Sequence, residues 1–493
     1  MRHLPTLLLL LALAAGGARA DNPPKREFRG AWIQTVFQGE YSKMTPDPLR
    51  ADLTRKLDAL QSCGINAILF QVRPEADAWY ASRLEPWSRF LTGKQGIPPD
   101  PFFDPTTFLV RECHRRNMEF HAWINPYRAG TSGTANLADD HVYHAHPEWF
   151  VLYNNQLLFD PGVPACRRHL CDVARDIVSR YDVDAIHVDD YFYPYPVPGV
   201  PFPDDNSFRD HGGKFAPDRR ADWRRDNVNR LVRDLKKTIS QTKPWVRFGV
   251  SPFGIYRNLR DFPGGSDTRG LQNYSDLYAD VILWAREGWI DYLIPQLYWE
   301  IGHTAADYTT LARWWNENTP RGIHLYIGQD VARTITQGAL AAKMNIARAL
   351  PGVSGNCFWP ANEILRDNGG IADSLRLRYH RHPALPPAYT RISTRRPARV
   401  SRLTARRGEE GYELSWQATG ERGKTTDTRY FVIYCFAPGD RQDIDDPAKI
   451  VAITRRTSCF LPVSGRLVPY RFIITAVDRL HNESRGRRVT LKL

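Results

Sequence analysis

Hydrophobic positions follow two different periods along the chain. From residue 29 to residue 359, short apolar runs alternate with longer stretches in which leucine, isoleucine and valine recur every three or four residues. After residue 400 the apolar positions instead alternate every second residue, between turn-forming residues. The first region predicts strands over 29–36, 66–73, 119–127, 185–189, 245–251, 291–299, 322–328 and 355–359. Helices are predicted between them over 48–64, 105–117, 164–181, 223–240, 274–287, 305–318 and 336–350. The first of these carries Leu49, Leu53, Leu57 and Leu60 on one face and ends at Gly64, which stops a helix readily. The segment 192–220, rich in proline, glycine and aspartate, reads as a long loop. Eight strand–helix units of this kind predict an α/β fold, a closed (β/α)8 TIM barrel, in preference to an open sheet. The short strands of the last region predict a small all-β sandwich in which Trp416 is a core anchor.

One stretch stands out, 185–194 with sequence AIHVDDYFYP. An apolar strand pattern ends in two aspartates, followed by aromatic residues and proline. Alternation places Ile186 and Val188 on one side and His187 and Asp189 on the other, with Asp190 at the strand's end. In a β/α barrel, the carboxyl ends of the strands are where binding and chemistry reside. Other polar residues fall late in their own strands. Gln71 and Arg73 share a side of the second strand, with Glu75 just beyond, and Trp123, Asn125 and Tyr127 share a side of the third. Gln296, Tyr298 and Glu300 share one of the sixth, and Asp330 follows the seventh.

Composition narrows the setting. With 493 residues the chain is long enough for two folded domains. Arg2 and His3 precede an apolar run at 7–15, and Ala18-Arg19-Ala20 supplies a cleavage site, so 1–20 reads as an export signal with Asp21 first in the mature chain. No cysteine follows the run closely, as a lipid anchor would need, and no later run is long enough for a transmembrane segment. The formal net charge of +13 suits an approach to anionic polymers, but no base-reading motif accompanies it, and no nucleic-acid partner is expected. Seven cysteines are too few for a disulfide scaffold; Cys166 with Cys171 and Cys435 with Cys459 are the pairs export would permit. The Cys-x4-Cys spacing lacks a second half, so neither a metal nor another cofactor is expected.

The fragments FRGAWIQTV, FQVRPEADAWY and HVDDYFYP, extended by PQLYWE at 295–300 and GNCFWP at 355–360, resemble a secreted glycosyl-hydrolase-like family related in fold to family 10 xylanases. The resemblance covers 27–380. It extends to bacterial enzymes that cleave peptidoglycan glycan strands lacking stem peptides. After a linker at 381–399, residues 400–493 resemble a fibronectin type III domain, through YFVIYCF and YRFIITAVDRLHNES. The first loop departs from the family pattern: FQGEY stands at 37–41, where relatives continue toward an asparagine and a tryptophan–proline pair.

The resemblance implies an exported, periplasmic or extracellular hydrolase of a cell-envelope polysaccharide, and glycosidic cleavage commonly uses two carboxyl groups in unequal environments. Asp189 and Glu300 are the leading pair, with Glu300 as acid/base and Asp189 as nucleophile or water-orienting base. Asp190 competes with Asp189, since a one-residue register shift exchanges them. Glu75 and Asp330 are further candidates. Glu300 is equally compatible with a helix cap or a surface ion pair. Arg73 is a candidate to hold either aspartate ionised or to contact substrate. Asn125, Gln296 and Tyr298 offer hydrogen bonds to sugar hydroxyls, and Trp123, Tyr127, Tyr191, Tyr193 and Trp359 offer ring faces. His187 is a candidate to orient an aspartate or a core hydrogen-bonding residue. The competing reading is a non-catalytic carbohydrate-binding protein; a metal-dependent deacetylase ranks third.

Overall fold

The computed structural model describes residues 23–420, 423–463 and 468–493; the segment read as an export signal lies outside them. The described chain forms two compact units, one spanning 28–374 and the other 375–493 together with the residues leading into Glu27.

The larger unit is a closed barrel of eight parallel strands. These are β1 (Phe28–Ile33), β2 (Ala67–Arg73), β3 (Glu119–Ile124), β4 (Ala185–Val188), β5 (Arg247–Val250), β6 (Tyr292–Leu293), β7 (His324–Asp330) and β8 (Val353–Trp359). Each pairs with its neighbours in sequence, and β1 closes on β8. The connecting helices are α1 (Pro46–Ser62), α2 (Pro105–Arg115), α3 (Pro164–Arg180), α4 (Arg220–Thr242), α5 (Val281–Glu287), α6 (Tyr308–Asn318) and α7 (Leu340–Ala349). Their apolar stripes face the barrel: Leu49, Leu53, Leu57 and Leu60 of α1 are all buried.

Several boundaries differ from the sequence reading. The sixth strand is only two residues long; beyond Pro295 the pairing continues only as isolated bridges from Gln296 to Phe253 and Gly328, and the Leu297 N–H donates to the carbonyls of both Pro295 and Gly328. Face alternation therefore stops before Glu300. Residues 274–280 are turn and irregular chain, and α5 starts at Val281, capped by the Asp280 side chain. The third strand ends at Ile124, and the segment 192–220 contains a short helix at Asp205–His211. That excursion is tied to α4 by buried Asp204, which accepts from Arg224 Nε and Nη2, each at 2.7 Å.

The barrel interior is filled by alternate residues of its strands, as expected of a packed barrel. Phe28 stacks on Tyr326 at 4.0 Å between ring centroids. Above and beside them runs an ordered polar chain. Trp32 Nε1 donates to His187 Nε2 at 3.2 Å, so the neutral His187 ring carries its proton on Nδ1. That proton faces the Tyr292 hydroxyl at 3.2 Å; the hydroxyl donates onward to His121 Nδ1 at 2.8 Å. His121 Nε2 then donates to Glu119 at 3.1 Å, and Glu119 pairs with Arg247. Burial and the neighbouring His121 hold the His187 pKa well below its usual value, so His187 stays uncharged. Gly249 makes this chain sterically feasible: a Cβ there would lie 2.0 Å from the Tyr292 ring.

The smaller unit contains two antiparallel sheets built from β9 (Ser401–Arg407), β10 (Gly411–Gln417), β11 (Thr428–Phe436), β12 (Ile450–Thr454), β13 (Ser458–Pro462), β14 (Pro469–Asp478) and β15 (Arg487–Lys492). One sheet has the order β9-β10-β13 and the other β12-β11-β14-β15, the arrangement of a fibronectin type III-like sandwich. Trp416 is buried in its core, edge-on to Phe431, as the sequence indicated. Within the stretch read as a linker, Leu385 and Tyr389 are buried in this unit, and Lys25 pairs with Glu483 at 2.7 Å. Cys166, Cys171, Cys435 and Cys459 are all thiols, so neither anticipated bridge is present.

Candidate active site

The last rung of β4 is the bond from Ser251 N–H to the Val188 carbonyl, 2.8 Å. Asp189 and Asp190 follow it at the carboxyl-end mouth of the barrel. Both are almost fully buried. Asp189 is surrounded by donors. Trp123 Nε1 reaches Oδ2 at 3.1 Å, Asn125 Nδ2 reaches the two oxygens at 3.3 and 3.2 Å, and the Tyr191 amide reaches Oδ1 at 3.4 Å. The Asn125 side chain is fixed at its other end, where Oδ1 accepts from the Arg128 amide at 3.0 Å. Asp190 accepts from the Tyr195 hydroxyl and from the Gln296 side chain. Gln296 is itself held by donation to the Ser251 carbonyl at 3.0 Å.

Two acids this close and this dry cannot both ionise cheaply. Burial, then the negative charge of Asp190, pushes Asp189 up to about 7; burial also raises Asp190. The pair therefore holds one proton near neutrality and titrates as a unit. Its partners differ in kind. Trp123 and the Asn125 amide can only donate to Asp189, whereas a tyrosine hydroxyl can donate to a carboxylate or accept from a carboxylic acid. Asp190 has one amide donor, Gln296, beside its reversible tyrosine, so the balance of partners places the charge on Asp189 and the proton on Asp190. Protonation of Asp190 removes the repulsion that adds to burial in raising Asp189.

Around this pair lie Tyr191, 37% exposed, and the half-buried Tyr195, Tyr298 and Trp359. Trp359 meets Trp123 edge-on at 6.0 Å, and the Tyr298 hydroxyl is raised by burial and by the nearby charges of Asp190 and Asp330. These side chains form the accessible, ring-rich rim of the site.

Other candidates occupy different positions. Arg73 holds neither aspartate: it is buried in a two-pronged pair with Glu85, at 2.7 and 2.6 Å, and its third nitrogen donates to the carbonyls of Asn125 and Pro126. Its influence on Asp189 passes through the backbone that carries Asn125. Glu75 is bracketed by Arg89 Nε and Nη2 at 3.0 and 3.1 Å, and by the Thr131 amide and hydroxyl at 2.7 and 2.8 Å. Glu300, with its side chain 39% exposed, bonds Gln337 and lies 4.0 Å from His303; it lies beyond the strand from which its direction was inferred. Asp330 caps the helix Val331–Thr336, accepting from the Arg333 amide at 2.9 Å. His187 bonds Trp32, Ser251 and Tyr292 and belongs to the barrel core. Tyr127 is buried, and Tyr193 packs edge-on between Phe202 and Tyr278, so neither presents a face to a ligand. Trp123 acts through its indole N–H, not through its ring face.

Arg128 and Tyr195 were not anticipated. Tyr195 was legible as the end of the aromatic run after the aspartates. Arg128 follows Asn125-Pro126-Tyr127, and only the turn there carries it back over the Tyr191 ring, 5.4 Å from its centroid. Its positive charge lowers the pKa of both aspartates. Its Nε donates to the Pro74 carbonyl at 2.8 Å. Arg128→Met is therefore expected to move the limb of the kcat/KM–pH profile belonging to the aspartate pair upward, since the cation favouring the ionised form is gone. An unchanged profile would show that Arg128 does not act on the pair.

Comparisons with known proteins give the family. Residues 27–343 match the family described as glycosyl hydrolase-like 10. Glycosyl hydrolase YngK of Bacillus subtilis is 37% identical over 511 residues, covering 100% of this chain and 98% of that protein. Glycosyl hydrolase DigH of Escherichia coli K12 is 38% identical over 321 residues, 61% of this chain and 72% of its own. Among solved structures, the glycoside hydrolase domain of PgaB from Bordetella bronchiseptica aligns with 72% of this chain and 99% of its own, at 12% identity and a TM-score of 0.46. The family match covers most of the chain and contains the buried acid pair at the barrel mouth: the chain belongs to the glycosyl hydrolase-like 10 family and is a glycoside hydrolase.

Proposed function

We propose that this glycoside hydrolase is exported and cleaves a cell-envelope glycan, namely peptidoglycan strands from which the stem peptides have been removed. The observation that carries the catalytic part is the buried Asp189–Asp190 pair, both carboxyl groups raised by burial, beside a rim of Tyr191, Tyr195, Tyr298 and Trp359. A carboxylic acid at that position protonates a departing glycosidic oxygen, and a carboxylate beside it stabilises the positive charge that develops on the sugar. The reading of 1–20 as an export signal supports chemistry in the envelope. The motifs FQVRPEADAWY and HVDDYFYP support the choice of glycan through their resemblance to enzymes acting on stripped strands. Among the described residues no helix is long and apolar enough to cross a membrane.

The test is mass spectrometry of products released from purified envelope glycan, with and without stem peptides, by the full mature chain. Cleavage confined to stripped strands, and lost in Asp189→Asn and Asp190→Asn, is the expected result. Binding of both glycans with no bond cleavage, or equal cleavage of both, would overturn the proposal.

A further inference from the structure

The two acids that follow β4 at the barrel mouth are consecutive residues, and this limits how they can share the work. Cleavage by two enzyme carboxyl groups needs them to flank the scissile bond, about 5–5.5 Å apart for retention or about 6.5–9.5 Å for inversion with an interposed water. Asp189 and Asp190 leave one strand end as neighbours, Asp189 toward Trp123 and Asn125 and Asp190 toward Tyr195 and Gln296. The acids considered at other strand ends have other engagements: Glu75 with Arg89 and Thr131, Asp330 as a helix cap and Glu300 with Gln337 at the rim. Two neighbouring acids instead match two substituents on neighbouring ring atoms. These are the leaving oxygen on C1 and the group on C2.

We infer that the substrate is a 2-acetamido sugar whose own acetamide oxygen is the nucleophile, with Asp189 holding the acetamide N–H and Asp190 donating the proton. The inference rests on the reading of the protein as a glycosidase of an envelope glycan, and it specifies which ring that enzyme can open.

In the first step the acetamide oxygen forms a bond to C1 as the C1–O bond to the leaving sugar breaks. The bonding electron pair departs on the glycosidic oxygen, which takes the Asp190 proton. The resulting bicyclic oxazolinium carries positive charge at its N–H, against the Asp189 carboxylate. In the second step water adds to C1, giving a proton to Asp190, and the bond from C1 to the acetamide oxygen breaks. One water is consumed, no oxidation occurs, the acid is restored, and two displacements at C1 return the original configuration.

The surroundings suit these roles. Asp189 is clamped by donors that cannot accept a proton, from Trp123, Asn125 and the Tyr191 backbone, so it remains a fixed anion. Asp190 must change protonation state twice per turnover, and its Tyr195 partner is the one that can reverse its hydrogen bond.

The experiment uses the mature chain with three kinds of substrate: stripped peptidoglycan strands, the same strands chemically de-N-acetylated, and aryl glycosides of N-acetylglucosamine oligomers with a 4-nitrophenol leaving group. The expected outcome is retained configuration by proton NMR and loss of cleavage after de-N-acetylation. Asp190→Asn should lose about a hundredfold or more on strands yet keep most activity on the aryl glycosides, whose leaving group needs no acid. Asp189→Asn should lose both, and a thiazoline analogue of the bicyclic intermediate should inhibit. Inverted configuration, a covalent sugar ester on Asp330 or another carboxylate, or undiminished cleavage of de-N-acetylated strands would each overturn the inference. Retention and acetamide dependence on N-acetylglucosamine oligomers, with no action on peptidoglycan, would instead leave this inference standing and defeat the proposed function.

Discussion

Asp189→Asn is expected to lower kcat by about a hundredfold to ten-thousandfold, the usual contribution of a positioned acid–base group, and at the same time to stabilise the fold at alkaline pH. The second effect follows from burial. In the folded chain Asp189 is pushed up to about 7 from an ordinary 3.8, because its carboxylate has lost water and faces Asp190. Between those two values the folded Asp189–Asp190 pair keeps one proton, on Asp190, that the unfolded chain releases, so the native protein loses stability as pH rises from about 4 to about 7. Three pH units at about 1.4 kcal/mol each set a ceiling of roughly 4 kcal/mol, shared with Asp190 through their coupling. Asparagine has no charge to bury, and the variant keeps only the smaller slope that burial of Asp190 provides. Its Tm relative to the native protein should therefore be more favourable at pH 8 than at pH 5. Thermal melts across that range, beside turnover of stripped glycan, provide the check; a difference independent of pH would mean that Asp189 is not held in a raised state.

Glu85→Gln should have the largest effect on stability. Glu85 and Arg73 are both fully buried and joined by two bonds, and His169 adds a third at 2.9 Å. Arg73 and His169 overcome the burial of the Glu85 carboxyl and lower its pKa to about 2, from an ordinary 4.5. Removing the anion leaves a guanidinium without a counter-charge in the interior, at a cost of about 3–5 kcal/mol. The native stability from this pair is complete above pH 4.5 and is lost as pH falls toward 2, so the penalty of the variant should shrink over that window. Because Arg73 also grips the carbonyls of Asn125 and Pro126, the surviving folded enzyme should show a lower kcat as Asn125 loosens its hold on Asp189. Replacing both partners, as Arg73→Met with Glu85→Leu, should recover much of the stability and little of the rate. Urea midpoints and turnover together measure this, and a penalty below about 1 kcal/mol for the single variant would refute the buried-pair account.

The same contrast shows how far the sequence could be read. Alternation through Ala185–Val188 was enough to bring Asp189 to the barrel mouth, because a regular strand has a period of two and nothing interrupts it. The same logic failed for Glu300, since the pairing beyond Pro295 reaches only Gln296, which bridges Phe253 and Gly328, and Glu300 lies past it with its side chain bonded to Gln337. His187 has the parity of Asp189, but parity gives direction and not depth. Its level inside the barrel is that of Trp32, Ser251 and Tyr292.

The sequence by itself determined the barrel and the sandwich, because hydrophobic period is a local property that each segment displays without reference to the others. It also determined that acids would gather at one end of the barrel, since strand ends share a common edge in this fold. The choice among those acids belonged to the tertiary structure. Ionisation depends on water access and on neighbouring charge, which come largely from residues remote in the chain: Trp123, Asn125 and Arg128 on one side and Gln296 on the other, with Tyr195 nearby in sequence, decide the state of Asp189 and Asp190. Glu85, Arg89 and Arg333 likewise decide that Arg73, Glu75 and Asp330 hold the scaffold together.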